Sequence, residues 1–122
     1  MEDENFYCLH SDICKTLASE KRQRILGCLR DGELTVSDIV KATGISQANA
    51  SQHLAILRSK AVVRTRRDGT SVYYSILNPK IIQAFDLITE VMQESLASRN
   101  QMVDEALAPA QPSPTGSIGD KP

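Results

Sequence analysis

Three groups of side chains in this sequence could do chemistry. Cys8, Cys14 and Cys28 are nucleophiles and soft-metal ligands. His10 and Cys14 stand four residues apart, so a helix would put them on one face, and Cys8 could join them from the helix start. With a partner copy, Cys8, His10 and Cys14 could hold zinc or a soft metal, or bind trivalent arsenic through thiolates. The same thiols could instead sense oxidants or persulfides, and Cys8 and Cys14 could pair, although a continuous helix would hold them about 9 Å apart along its axis. In the competing reading Cys14 and Cys28 are small core hydrophobes, as free cysteines often are. An odd number of cysteines, none in a Cys-X-X-Cys pair, fits neither a disulfide framework nor a zinc ribbon.

The second group is a run of short polar side chains, Ser46, Gln47, Asn49, Ser51, Gln52 and His53, with Arg58 beyond and no acid among them. Hydroxyls and amides of this kind match base edges, while arginine meets phosphate. The third group is Arg64, Arg66 and Arg67, which would neutralise phosphates or enter a minor groove. Their plain alternatives are a solvated helix face and a solvated basic hairpin.

The chain must position these groups within 122 residues and 13.4 kDa, enough for one domain. It is 41% hydrophobic, with five aromatic residues and no Trp, so the core must be aliphatic and helix-on-helix packing is favoured. A large enclosed catalytic pocket is hard to build at this length. The formal net charge is −1, but residues 20–80 carry eleven basic side chains against five acidic ones. That asymmetry points to an anionic partner facing the middle of the chain. No apolar run approaches the ~18–20 residues of a membrane span, and acids rather than bases follow Met1, so the expectation is a cytoplasmic protein without a membrane partner.

Periodicity and punctuation place the elements. Leu9, Ile13 and Leu17 recur every four residues, marking a helix over 9–18. Ser19 caps a second helix running to about Arg30, and Asp31-Gly32 stops it. Thr35 and Asp38 form a capping box for a short helix that ends at Thr43-Gly44. Ser46 then caps a helix to about Ser59, with Ala50, Leu54 and Leu57 on its apolar face. Two helices across a short Gly-containing turn are a helix-turn-helix. Residues 62–67 and 70–76 are β-branched and aromatic runs joined by Asp68-Gly69, which predicts a hairpin. The fold class is therefore mainly α with a small β-hairpin wing, a winged helix-turn-helix. Pro79 opens a long last helix whose apolar stripe, Ile81, Phe85, Ile88, Met92 and Leu96, is widened by Ile82, Leu87 and Val91 beyond what one small core needs. The surplus predicts a second copy of the chain packed there. Residues 1–8 are expected as an N-terminal arm, 9–100 as the winged-helix domain, and 101–122, Pro- and Gly-rich from Pro109, as a disordered tail.

From Cys8 to Ser98 these strings resemble the ArsR/SmtB family of bacterial winged-helix repressors. The resemblance rests on Leu17-Ala18-Ser19-Glu20, on Gly32-Glu33-Leu34-Thr35-Val36-Ser37-Asp38, on Ser46-Gln47-Ala48-Asn49-Ala50-Ser51-Gln52-His53-Leu54, and on Arg67-Asp68-Gly69 before Tyr73-Tyr74. It implies a homodimer joined through its first and last helices; the dimer binds a double-stranded operator of imperfect inverted-repeat form and blocks transcription until an inducer weakens binding. Leu9, Ile13, Ile81, Phe85, Ile88 and Met92 are the interface residues it implies here. Metal-sensing members carry two thiols where this chain has Thr35 and Ser37, so that site is absent. Zinc-type members use Asp and His on the last helix, and residues 78–100 contain no His. Persulfide-sensing members pair a second-helix Cys with one on the last helix, and no Cys follows Cys28. An enzyme such as a thiol oxidoreductase or arsenate reductase would need a phosphate loop or a Cys-X-X-Cys, and neither occurs. A winged helix that binds protein or RNA is the other rival, against which the basic wing and acid-free helix both weigh.

Overall fold

Helix α1 (Glu4–Leu17) leads into α2 (Glu20–Cys28), and a two-residue strand β1 (Leu34–Thr35) runs straight into α3 (Val36–Thr43). Then come α4 (Gln47–Ser59), strands β2 (Val63–Asp68) and β3 (Ser71–Ile76), and α5 (Lys80–Leu107). This computed structural model describes residues 4–108. The chain divides within α5, Phe85 closing one unit and Asp86 opening the other.

Helix starts follow their caps. Ser19 Oγ accepts from the Arg22 amide at 3.3 Å. Thr35 Oγ1 accepts from the Asp38 amide at 3.1 Å while Asp38 Oδ2 accepts from the Thr35 amide at 3.2 Å, the reciprocal pair of a capping box. Asn78 Oδ1 accepts from the Lys80 amide at 3.0 Å, which leaves Pro79 where its missing N–H costs nothing.

The core is wholly aliphatic, as the scarcity of aromatics requires. Ile25, Leu26 and Leu29 pack against Ile39, Ile45, Ala50, Leu54, Leu57, Val62 and Val63. Ile13, Leu17, Tyr74, Ile76, Ile81 and Phe85 close over its edges.

Several boundaries differ from expectation. Residues 4–8, expected as an arm, are the first turns of α1. The Phe6 ring meets Tyr7 edge-on at 5.1 Å and His10 at 5.9 Å, and an i,i+4 ring contact of this kind extends a helix. Residues 101–107, expected as tail, continue α5, where helix formers persist and Gln101 Nε2 donates to Glu105 Oε2 at 3.5 Å, until Pro109 removes the next amide donor. The first three residues of the arm and residues 109–122 of the tail lie outside the described residues. The second helix stops at Cys28, two residues early. In the hairpin Asp68 pairs with Ser71, so Gly69-Thr70 is the loop; Gly69 has φ +62 and Thr70 has no positive φ, the glycine-first pattern of a II′ turn. The two-stranded wing is in fact a three-stranded antiparallel sheet in the order β1-β3-β2, with Thr35 opposite Tyr73 and Arg66 opposite Tyr73 on its other side.

Candidate nucleic-acid interface

The turn between α3 and α4 is built from three residues with separate tasks. Gly44 takes the left-handed conformation, φ +75, and its amide donates to Val40 O at 2.8 Å, closing α3. Ile45 drops into the core. Ser46 caps α4 by accepting from the Asn49 amide at 3.2 Å. Thr43 steadies the turn, its hydroxyl donating to Ile39 O at 2.7 Å and accepting from the Ile45 amide at 3.2 Å.

With Ala50, Leu54 and Leu57 fully buried, α4 turns Gln47, Asn49, Ser51, Gln52 and Arg58 outward, as the spacing predicted. No carboxylate lies on this helix. Ser46 is engaged as the cap, as expected, and one residue of the set stands differently. His53 is half-buried, and its Nδ1 is shielded from solvent with no hydrogen-bond partner. Burial, with Arg22 and Lys21 of α2 beside the ring, holds the imidazole below its ordinary pKa. Ala48 and Ala55 are also exposed on α4, and a methyl there is the complement of a thymine methyl. The polar pattern passed over them because alanine carries no polar signal.

In the wing, Arg64 and Arg67 are exposed, and Arg67 has no ion-pair partner among the described residues. Arg66, expected beside Arg64 at phosphate, is engaged within the chain. Its Nε and Nη2 donate to the two oxygens of Glu33 at 3.0 and 2.5 Å, and its guanidinium lies 4.7 Å from the Tyr73 ring centroid. The Arg66 hydrogen bonds hold the Glu33 carboxyl below the usual carboxylate range. Lys60, just past α4, donates to Asp12 of α1 at 3.0 Å, a tie between distant segments that sequence spacing could not show.

The cysteines do not converge. Cys14 Sγ lies 3.6 Å from His10 Nδ1 on the exposed side of α1, but no three His, Cys, Asp or Glu side chains among the described residues gather as a metal site. Cys8, the expected third ligand, is exposed and in the body of α1 rather than at a frayed start. Cys28 is half-buried, donates to Ile25 O at 3.0 Å, and is pushed up in pKa by burial, which makes it a protonated wall of the core. Of the expected interface residues, Ile13, Ile81 and Phe85 pack on the core, while Leu9, Ile88 and Met92 are more than half exposed.

Comparison with known proteins agrees with this geometry. Residues 19–65, from the α2 cap into β2, match the model of the arsR family of bacterial regulatory proteins. The chain is 34% identical over 109 residues to the uncharacterised HTH-type transcriptional regulator Rv0081 of Mycobacterium tuberculosis, covering 88% of this chain and 96% of that one. The crystal structure of Rv0081 superposes with a TM-score of 0.74 at 35% identity, covering 80% and 98% of the two chains. The homodimeric winged helix-turn-helix DNA-binding domain Mb0332 of Mycobacterium bovis superposes with a TM-score of 0.66 at 34% identity over 78% and 91%. Among more distant relatives, SdpR of Bacillus subtilis, named a transcriptional repressor, is 34% identical over 73 residues, 60% of this chain and 80% of its own. Shared helices, turn, wing and sequence lead to one conclusion: this chain belongs to the arsR family of bacterial regulatory proteins.

Proposed function

We propose that the chain is a homodimeric, sequence-specific DNA-binding transcriptional repressor, released from an inverted-repeat operator in the cytoplasm by a chemical signal. The observation that carries this reading is the exposed, acid-free polar face of α4 beside a wing that presents Arg64 and Arg67. Gln47, Asn49, Ser51 and Gln52 meet base edges in the major groove, and Arg58 with the two wing arginines meets phosphate. The exposed apolar residues Leu87, Ile88, Val91, Met92 and Leu96 of α5 supply the surface for a second copy. A two-fold dimer then sets its recognition helices about 34 Å apart, one turn of the duplex. The related repressor supports the sign of regulation. For the signal, thiol chemistry on α1 is favoured over chelation, since Cys14 lies beside His10 and no third ligand joins them among the described residues.

Fluorescence anisotropy of reduced, chelator-treated protein on DNA from upstream of its own gene tests the reading. Binding should require a duplex with two half-sites and weaken by about 0.9 log units per log unit of salt for each phosphate neutralised. Binding that ignores salt, or a folded dimer that binds no duplex, would sink it.

A further inference from the structure

We propose that Glu33 and Arg66 form a clasp that sets the pitch of the wing against the helix-turn-helix, making Arg66 a positioning residue and not a phosphate ligand. The clasp rests on the repressor reading, since the wing's pitch matters only if it meets DNA.

The sheet's register puts the parts in place. Arg66 on β2 and Thr35 on β1 both pair with Tyr73 of β3, from opposite sides. Arg66 lies over the Tyr73 ring and reaches the carboxylate of Glu33, the residue before β1, spanning all three strands with one side chain. The contact is bidentate, the fork-to-fork geometry that orients both partners. Thr35, at the end of β1, is also the cap of α3. The clasp thus joins the wing to the first helix of the DNA-binding pair through a strand only two residues long, with no flexible linker between.

Charge supports the same assignment. The Arg66 guanidinium has Glu33 on one side and Asp68 at 3.9 Å on the other, so it is already compensated and presents no net positive charge to a duplex. A phosphate that recruited Arg66 would have to leave the Glu33 carboxylate uncompensated beside the DNA. Arg67 carries no such cost, and Arg64 acts on the Glu33 carboxylate only through space, without a direct ion pair.

The two roles predict opposite signs for one substitution. Simple electrostatics says that removing an acid near DNA strengthens binding. If Glu33 instead holds the wing in place, Glu33→Gln weakens it. Anisotropy titrations should show Glu33→Gln and Arg66→Gln each lowering affinity about fivefold, with the slope of log affinity against log salt unchanged. The exchange Glu33→Arg with Arg66→Glu should recover most of the loss. A rise in affinity for Glu33→Gln would overturn the clasp, as would a drop of about 0.9 in the salt slope for Arg66→Gln. In the free protein, NMR titration should find the Glu33 carboxyl below the usual range in the wild type and back within it in Arg66→Gln. An ordinary Glu33 titration in the wild type would mean no clasp forms. Should the wild type bind no DNA while Glu33 still titrates low, the repressor reading fails and the clasp's role fails with it.

Discussion

His53 belongs to the recognition helix by position and to the α2–α4 packing by orientation. Its Nδ1 has no partner, and Lys21 and Arg22 of α2 add like charge to any imidazolium. Burial is the larger cause of its lowered pKa. Because the folded-state value lies below the ordinary 6.5, the unfolded chain binds the proton more readily over the interval between them. Stability is therefore complete above 6.5 and is lost as the pH falls through the interval. Thermal unfolding of the wild type should lose ground as the pH falls below the ordinary 6.5, and His53→Gln should show a shallower dependence there. Equal slopes in the two proteins would mean that the ring is not held neutral. Cys28 is the parallel case among the thiols: it is partly covered, and burial keeps its proton on.

At the scale of elements, every helix of the DNA-binding pair is closed by a local device, and one of these is suboptimal. Helix α4 ends in a paired motif in which the Val62 amide donates to Leu57 O at 2.9 Å and the Ala61 amide to Arg58 O at 3.0 Å. This motif wants a left-handed residue, and Ala61 supplies it at φ +60. An alanine there costs about 1 kcal/mol relative to a residue without a Cβ. Its methyl is exposed, so removing it uncovers no apolar surface. Ala61→Gly should then stabilise the protein by about 0.5 kcal/mol, after the added freedom of the unfolded chain is subtracted. Calorimetry should register a midpoint higher by about 2–4 °C. A lower midpoint would show that the left-handed turn is not what limits the end of α4. At Gly44 the same conformation is already met by glycine, and the helix-turn-helix depends on that turn.

At the scale of the molecule, the distal part of α5 has more apolar surface than the chain itself covers: Leu87, Ile88 and Val91 are each over 60% exposed. A second copy is the economical cover, and on the proposed two-half-site operator its loss should cost DNA binding. Ile88→Lys with Met92→Lys should convert dimer to monomer in light scattering and weaken operator binding more than tenfold, about the loss of a linked second site. Both positions are exposed in the single chain, so its melting should change little on dilution-matched monomer. A double variant that stays dimeric would place the interface elsewhere. The winged-helix class, both helix-turn-helix caps, the buried faces of α2 and α4 and the outward set on α4 could be read from the sequence, because each depends on neighbours three or four residues away. Helix ends were less legible: the Phe6 contacts and the persistence of α5 to Leu107 reflect small local energies that no stop signal marks. What the sequence alone determined is thus the periodic and the local, since side-chain spacing, caps and turn residues act within one turn of chain. Only the tertiary structure decided the pairing of β1 with β3, the inward turn of His53, the Lys60–Asp12 tie and the capture of Arg66 by Glu33. Those last partners lie 48 and 33 residues apart, and a charge's role follows from the carboxylate that folding brings to it.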